Sequence, residues 1–413
     1  MKIAIINLGC KVNQCECDAI AARFQEQGHT VIQEMAAADC YVINTCAVTQ
    51  EAEKKSRQCV ARVRKYNPMS RVYVIGCAAQ NNPAQFAGKD VTYIGGNAAK
   101  MAVCDLPEGQ ADIPLPTQYE TMPFGKGTRA RENVKIQDGC NNFCSYCIVP
   151  YLRGRSRSRS LEDILVECNL RALTAHEIVL TGIDAASYGK DIGRDLTDLV
   201  RTLSHVPARF RFGSLEAGVI TPKFLRAMKT SGNFCPHFHL SLQAGDDETL
   251  RRMNRHYTTG EYAEKVSLIR EYFPLAAITT DVIVGFATET REQFENSLEF
   301  VRRMQFANVH VFPYSRRQGT RAYSLPPIAA DEMARRVKAM TEVKNELFDN
   351  FIHSFIGYEL QAVTEHTDGM YMQGHTDNYI KVYIPMHQTC KPNDVYTVRC
   401  LSPYQDGMLA EIV

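Results

Sequence analysis

The chain of 413 residues lacks tryptophan, which by itself excludes nothing, and has no apolar run approaching the roughly 18 residues of a membrane span. Its first segment, MKIAIINLGC, carries one lysine and too short an apolar stretch for a signal peptide. The net charge is only +1, so no global field attracts nucleic acid. These absences predict a soluble, cytoplasmic globular protein without a membrane partner, whose contacts with nucleic acid would depend on local patches.

Cysteine, in contrast, is abundant, with 15 in the chain. In a cytoplasmic protein this indicates metal or redox chemistry more than disulfides. Cys140, Cys144 and Cys147 follow a short apolar strand at C-x3-C-x2-C spacing. A zinc site would need a fourth Cys or His nearby, and none follows at a usual interval. Three thiolates can instead hold an iron–sulfur cube with one iron open. A structural zinc loop remains the alternative.

This loop, with Tyr146 before its last cysteine, resembles the cluster loop of the radical S-adenosylmethionine (SAM) enzymes. The resemblance implies that Cys140, Cys144 and Cys147 hold a [4Fe–4S] cluster whose open iron chelates SAM, with Tyr146 as a cofactor contact. It also implies that an external electron donor reduces the cluster, which then cleaves SAM to a 5′-deoxyadenosyl radical.

The N-terminal segment repeats one pattern, an apolar strand that ends just before a cysteine. Helical patterns over Asn13–Gln27 and Thr49–Tyr66 alternate with these strands and predict a doubly wound parallel sheet. Ligands gather at the carboxyl ends of such strands, so the three cysteines are predicted to converge on one site. The predicted pairs are Lys2–Leu8 with Cys10, Tyr41–Asn44 with Cys46, and Arg71–Ile75 with Cys77.

Other cysteines of this segment lack a strand-end position and are predicted to be small buried side chains. They are Cys15, Cys17, Cys40, Cys59 and Cys104.

Three motifs, LGCKVNQCE (8–16), INTCAVT (43–49) and VIGCAAQ (74–80), resemble the methylthiotransferase family. The resemblance extends through nearly the whole chain. It implies that Cys10, Cys46 and Cys77 hold an auxiliary [4Fe–4S] cluster that carries the sulfur to be inserted.

The domains expected are an N-terminal domain over 1–112, a proline-rich linker over 113–131, a radical SAM domain over 132–355 and a C-terminal domain over 356–413. The radical SAM domain is predicted to be an open (β/α)6 barrel, since six strands alternate with helices. The strands are Val134–Gln137, Ile178–Thr181, Arg209–Gly213, His237–Leu242, Thr279–Val284 and Asn308–Phe312.

Barrels of this kind do their chemistry at the carboxyl-terminal rim, so residues that follow the strands are candidate SAM contacts. They are Gly182, Glu216, Gln243 and Gly285, each in a family-like motif. A turn or a strand-end cap is the alternative role for each. The chain departs from the family pattern beside these positions, at Ala217, at Ala244-Gly245-Asp246 and at Ala287-Thr288.

Four arginines crowd into the seven residues after the cluster loop. Guanidinium groups suit bidentate phosphate or carboxylate recognition, which predicts a substrate or SAM carboxylate contact. A solvated surface run is the alternative. The arginines are Arg153, Arg155, Arg157 and Arg159.

The C-terminus is predicted to form a long helix, Ile328–Phe355, and then five short strands that close into a small OB-like β-barrel. GHTDNYIKVYIP resembles the TRAM domain of the same family. The resemblance implies RNA binding, with Tyr379 and Lys381 among the candidate side chains. A structural or dimerising barrel is the alternative.

The resemblance implies an enzyme that adds a methylthio group to carbon 2 of a modified adenosine beside the anticodon of tRNA. Gly9-Cys10-Lys11-Val12-Asn13-Gln14 is similar to the branch acting on N6-threonylcarbamoyladenosine. The alternatives are isopentenyladenosine in tRNA, an aspartate of a ribosomal protein, or a non-catalytic RNA-binding protein with a redox-sensing cluster.

Overall fold

The computed structural model describes residues 1–88, 90–125, 127, 129–386 and 389–413. The N-terminal part is a parallel sheet in the order β2-β1-β3-β4-β5-β6. Its strands are β1 (Lys2–Asn7), β2 (Thr30–Ile32), β3 (Cys40–Thr45), β4 (Arg71–Gly76), β5 (Tyr93–Ile94) and β6 (Gly109–Gln110). Its helices are α1 (Lys11–Glu26), α2 (Gln50–Tyr66) and α3 (Cys77–Asn81).

The central strands of this sheet are apolar along nearly their whole length because helices cover both faces. On one face Ile20 and Phe24 of α1 are buried, and on the other Val60 and Val63 of α2. The doubly wound parallel sheet predicted from the sequence is thus confirmed.

The second domain is a curled array of strands with helices outside. Its strands are β7 (Arg131–Asp138), β8 (Arg157–Ser158), β9 (Glu177–Gly182), β10 (Arg209–Phe212), β11 (Ser214–Leu215), β12 (His237–Leu240), β13 (Ala277–Val284) and β14 (Asn308–Pro313). Its helices are α4 (Val149–Arg153), α5 (Leu161–Arg171), α6 (Leu196–Leu203), α7 (Pro222–Ser231), α8 (Asp247–Arg252), α9 (Thr259–Tyr272), α10 (Arg291–Met304) and α11 (Ala330–His353).

The third predicted strand is divided at Gly213. Its first half, β10, pairs with β9, and its second half, β11, pairs with β12. The ladder therefore forms two sheets, β10-β9-β7-β8 and β11-β12-β13-β14, that share one hydrophobic core. Six parallel positions follow one another in chain order, which confirms the open (β/α)6 barrel.

The C-terminal part is a closed five-stranded barrel in the order β15-β16-β17-β19-β18, as predicted. Its strands are β15 (Glu359–Thr367), β16 (Tyr371–Thr376), β17 (Lys381–Pro385), β18 (Val395–Tyr404) and β19 (Gly407–Ile412). Between the first two domains, the described residues of 111–130 form no helix or strand. None of the described helices has the length and apolarity to cross a membrane.

The small barrel closes the floor of the open barrel, at the amino ends of its strands. Arg211 of β10 donates to the carbonyls of Thr376 (3.1 Å) and Asp377 (3.0 Å), and Arg209 donates to the carbonyl of His375 (2.8 Å). Both guanidinium groups also pair with the buried Glu177. Burial alone would raise the pKa of Glu177, but Arg211 and Arg209 lower it to about 2. The interface therefore depends on charge pairs that are sealed from water.

Replacing Arg211 with Ala is expected to lower the free energy of unfolding by about 3 kcal/mol, because it leaves Glu177 buried with a single partner. Urea denaturation measures this change. Arg201→Ala, on the exposed surface of α6, is the matched control and should change stability by no more than about 0.5 kcal/mol. Equal midpoints for the two variants would contradict the role assigned to Arg211.

Candidate active site

Cys10, Cys46 and Cys77 lie at the carboxyl ends of three strands that are neighbours in the sheet. Cys10 caps α1 after β1, Cys46 follows β3, and Cys77 opens α3 after β4. The pKa of Cys46 is raised to about 11, first by burial and further by the thiols of Cys77 and Cys10. The three sulfurs are therefore within electrostatic range of one another, and the structure brings this triad together as the strand positions predict.

Amide side chains surround this triad. Asn13 lies 3.5 Å from the sulfur of Cys10, and Asn97 lies 3.6 Å from that of Cys77. Asn97 also donates to the carbonyl of Leu152 in α4 (3.0 Å), which joins the triad to the second domain. Neither asparagine stood out in the sequence, although Asn13 belongs to the GCKVNQ motif.

Cys140, Cys144 and Cys147 occupy the loop after β7. Gly139 has φ +72°, and a Cβ there would collide with the carbonyl of Arg155, so the tight turn into the loop requires glycine. Burial, together with the neighbouring Cys144 thiol, raises the pKa of Cys147 to about 12. The second triad is thus also assembled, at the carboxyl rim of the open barrel.

Polar groups from three rim loops converge beside this second triad. Asn142 donates to Glu216 (3.0 Å), and Arg255 forms an ion pair with Glu216 (2.8 Å) and donates to the sulfur of Cys144 (3.3 Å). Burial and the charge of Glu216 raise the pKa of Asp184, 3.8 Å from the sulfur of Cys140, to about 6.

Of these rim groups, only Glu216 is predicted from the sequence. Asn142 lies inside the cysteine loop, Asp184 two residues after the selected Gly182, and Arg255 in the MNRHY segment. Their positions inside or beside these motifs are therefore the one feature of the sequence that could have pointed to these three residues.

The other predicted SAM contacts have structural partners. A Cβ on Gly182 would lie 2.8 Å from Oε1 of Gln137, the atom that accepts from the Asp184 amide. Gln243 adopts φ 72° and bridges to β13. Tyr146 packs beside a buried cluster that includes Phe286.

Gly285 differs from these positions because its constraint comes from α11 and the turn before it. It has φ +72°, and a Cβ there would lie 2.6 Å from Met333 and 2.7 Å from Ile328. The structure thus explains the glycine by packing.

Most of the arginine run is engaged inside the protein and is not open to the substrate or SAM carboxylate contact predicted from the sequence. Arg153 is 1% exposed and pairs with Glu16 (2.9 Å) and Asp138 (3.0 Å). Arg157 donates to the carbonyl of Arg153 (2.8 Å), and Arg159 pairs with Glu167. Internal acceptors therefore occupy three of the four guanidinium groups. Arg155 is exposed, with its guanidinium 4.4 Å from the centre of the Phe143 ring.

A buried ion network links the two triads. Glu16 lies on the helix that Cys10 caps, Asp138 precedes the Cys140 loop, and Arg153 follows it. Lys135 joins both carboxylates, 3.1 Å from Glu16 and 2.7 Å from Asp138, and Lys100 also contacts Glu16. Burial would raise the pKa of Glu16, but Arg153 and Lys100 hold it well below its usual value.

A cavity of about 880 Å³ lies between the barrel interior, the start of α1, α11 and the C-terminal barrel. Tyr379 lies at its floor, 4.5 Å from His237 and 5.0 Å from His375 between ring centres. Lys381 lies at its edge and pairs with Asp406 (3.0 Å). Tyr379 therefore contributes to the domain interface, whereas Lys381 remains partly exposed.

Each triad fits an iron–sulfur cube, since it offers three soft thiolates and leaves one metal position open. A thiol triad at the carboxyl rim of an open (β/α)6 barrel, next to carboxylate and amide groups, defines the radical SAM class of enzyme. Residues 134–301 match the family model described as "Radical SAM superfamily", and residues 2–94 match "Uncharacterized protein family UPF0004". The radical SAM methyltransferase TsrM of Kitasatospora setae has a similar fold, with TM-score 0.59 and 13% identity over 78% of this chain and 77% of that chain.

Curated relatives give the narrower assignment. "Threonylcarbamoyladenosine tRNA methylthiotransferase MtaB" of Aquifex aeolicus is 34% identical over 92% of this chain and 96% of its own. The protein of that name in Bacillus subtilis is 33% identical over 100% and 97%. "tRNA-2-methylthio-N(6)-dimethylallyladenosine synthase" of Dictyoglomus thermophilum is 31% identical over 92% of each chain. The chain belongs to the radical SAM methylthiotransferase family, and its cofactors are SAM and iron–sulfur clusters.

Replacing Cys140, Cys144 and Cys147 together with Ala is expected to reduce bound iron from about eight to about four per chain, since each cubane cluster holds four. The triple variant of Cys10, Cys46 and Cys77 should lose the same amount. Iron analysis and Mössbauer spectroscopy measure both. The double variant Cys59→Ala, Cys104→Ala is the control, because these buried cysteines lie outside both triads. Full iron in either triple variant would contradict that triad.

The Glu16→Gln variant is expected to lose about 3–5 kcal/mol of unfolding free energy, because it leaves buried cations without their shared carboxylate. Since the pKa of Glu16 is lowered in the fold, its contribution is present at neutral pH. The difference from the wild type should shrink on acidification below about pH 4.3, where the unfolded-state carboxyl protonates. Urea unfolding across pH tests this.

The control for this variant is Glu26→Gln at the exposed end of the same helix, where only an i,i+3 surface pair with Arg23 is lost. Such pairs contribute at most about 1 kcal/mol. If the two variants were equally stable, the network would not have the structural role described.

Proposed function

We propose that this protein adds a methylthio group to carbon 2 of N6-threonylcarbamoyladenosine in the anticodon stem-loop of tRNA. The observation that carries the proposal is the pair of thiol triads, held by one ion network, in a chain whose relatives named for this activity match it over 92–100% of its length. The reaction replaces a C–H bond with a C–S bond; the hydrogen atom would leave in 5′-deoxyadenosine formed from one SAM, and a second SAM would supply the methyl group on sulfur.

In this proposal the two triads have different tasks. Cys140, Cys144 and Cys147 would hold the cluster that supplies the electron for SAM cleavage, and Cys10, Cys46 and Cys77 would hold the auxiliary cluster that supplies sulfur. Asp184 and Glu216 would accept hydrogen bonds from the ammonium or ribose hydroxyls of SAM, because Asp184 contacts Cys140 and Glu216 contacts Asn142 of the same loop. Arg255 positions Glu216 through their ion pair.

The C-terminal barrel is proposed to assist tRNA binding. Tyr371 and Tyr404 are half-buried, with ring centres 5.1 Å apart, and pack against the buried Tyr383, whose ring lies 4.8 Å from Lys381. Aromatic faces next to cations suit unpaired bases and phosphate. The proposal also includes an external electron donor and a cytoplasmic location, where tRNA is found.

Isopentenyladenosine is the second candidate substrate, since relatives at 31–32% identity carry the name of the dimethylallyladenosine enzyme. The threonylcarbamoyl candidate is preferred because five relatives at 31–34% identity carry that name and because Lys11, the residue after Cys10, brings a cation to the cavity.

The reconstituted enzyme, with SAM and a reductant, should methylthiolate an anticodon stem-loop bearing N6-threonylcarbamoyladenosine. Mass spectrometry of the digested nucleosides detects the product. A matched stem-loop with isopentenyladenosine should react much less, and one with unmodified adenosine serves as the control. Conversion of the isopentenyl substrate alone would refute the substrate assignment while leaving the reaction class intact.

A further inference from the structure

One wall of the cavity over Tyr379 has no role in the proposed reaction as described so far. His239 of β12, Asp281 of β13 and His310 of β14 face it from neighbouring strands. At about 880 Å³ the cavity has the size of a small-molecule site. The carbonyl of Asp281 accepts from the Gln243 amide (2.8 Å), so this wall adjoins the carboxyl end of β12. Lys11, which follows Cys10 directly in the chain, lines the same space.

Within this wall, His239 lies against Asp281. Nε2 of His239 lies 3.1 Å from Oδ2 of Asp281, and its Nδ1 lies 2.9 Å from the hydroxyl of Thr279. Both ring nitrogens therefore have partners. His310 contacts the ring of His239, with centres 5.5 Å apart, and is exposed to the cavity.

The ligand atoms of His239, Asp281 and His310 lie within 4.8 Å of one another, which also resembles a divalent metal site. The charges around them favour an anion instead. Four cationic side chains, Lys11, Arg211, Lys344 and Lys381, and three carboxylates line the cavity. Arg211 pairs with Glu177, which lies outside this lining, and Lys381 pairs with Asp406. Among the described residues Lys11 and Lys344 form no ion pair, and burial together with His239 and both lysines lowers the pKa of His310.

The N6 substituent of the proposed substrate is an anion, since its threonyl part ends in a carboxylate. In adenine, carbon 2 and carbon 6 flank the same ring nitrogen. A base whose carbon 2 faces the thiol triads therefore extends its N6 substituent into the space immediately beside them. Lys11 lies there, next to Cys10, and the arginines that the sequence suggested for this role are mostly buried elsewhere.

We infer that Lys11, together with His310, is the receptor for the carboxylate of the N6-threonylcarbamoyl group and selects it over an apolar substituent. This inference rests on the proposed function. An isopentenyl group would cover the Lys11 ammonium without a hydrogen-bond acceptor, which is unfavourable for a cation. A carboxylate gives Lys11 a charge-assisted partner and gives His310 an acceptor.

The test measures binding of fluorescent anticodon stem-loops to the full-length, cluster-loaded protein without reductant. One stem-loop carries the threonylcarbamoyl group and the other its methyl ester, which has the same shape without the charge. The wild type should prefer the acid, and Lys11→Met should reduce that preference about tenfold to hundredfold, the range for one lost charge-assisted hydrogen bond. Lys11→Arg should restore it. Lys338→Met, on the exposed side of α11, should keep the full preference.

Iron content and the electron paramagnetic resonance signal confirm that each variant holds its clusters. If Lys11→Met loses iron, His310→Phe replaces it in the test and must show the reduced preference. If Lys11→Met, or His310→Phe where that variant is used, preferred the acid as strongly as the wild type does, the inference would be overturned. A wild-type protein that binds the isopentenyl stem-loop and neither threonylcarbamoyl form would instead refute the proposed function.

Discussion

The buried contacts among Glu16, Arg153 and Asp138 are the constraint on which the rest of the site depends. Each belongs to a segment that leads into or out of a thiol triad, so the network determines how the two domains face each other. Desolvation makes isolated charges in such a position unfavourable, and only mutual pairing compensates for it. The two domains can therefore pack in only one relative position, in which Cys77 and Arg153 interact electrostatically. A shift of one domain along the other would leave a buried charge without its partner.

The state of the thiols follows from the same burial. The pKa of Cys46 is raised to about 11 and that of Cys147 to about 12, so these thiols are neutral at physiological pH when no metal holds them. Iron binds thiolate, and cluster assembly must therefore release protons into a site with little water. Nearby Arg255 and the asparagine amides stabilise sulfur once it is charged. The surroundings of both triads therefore favour the charged thiolates of the cluster-bound state.

The C-terminal barrel contributes to the active site as well as to the surface. Its Tyr379 segment fills the floor of the open barrel, and with α11 it turns an open-sided array of strands into an enclosed cavity. An open barrel without this floor would admit water to the strands that carry His239 and Asp281. Exclusion of water makes each charge in the cavity more effective in selecting a ligand. The contacts that close the floor of the open barrel therefore also strengthen the selection of a ligand in the cavity.

Short-range patterns of the chain determined the strands, the closed C-terminal barrel and both cysteine triads. Cys140, Cys144 and Cys147 are adjacent in one loop, and Cys10, Cys46 and Cys77 share a strand-end position that parallel strands bring to one edge. Only the tertiary structure decided that the arginine run is mostly buried and paired. The local sequence around Arg153 does not show that Glu16 lies opposite it. The tertiary structure also decided the packing of Gly285 against α11 and the placement of Lys11 and His310 in the lining of one cavity. Such contacts join residues from different domains, and periodicity and spacing carry no information about which distant side chain will provide the partner.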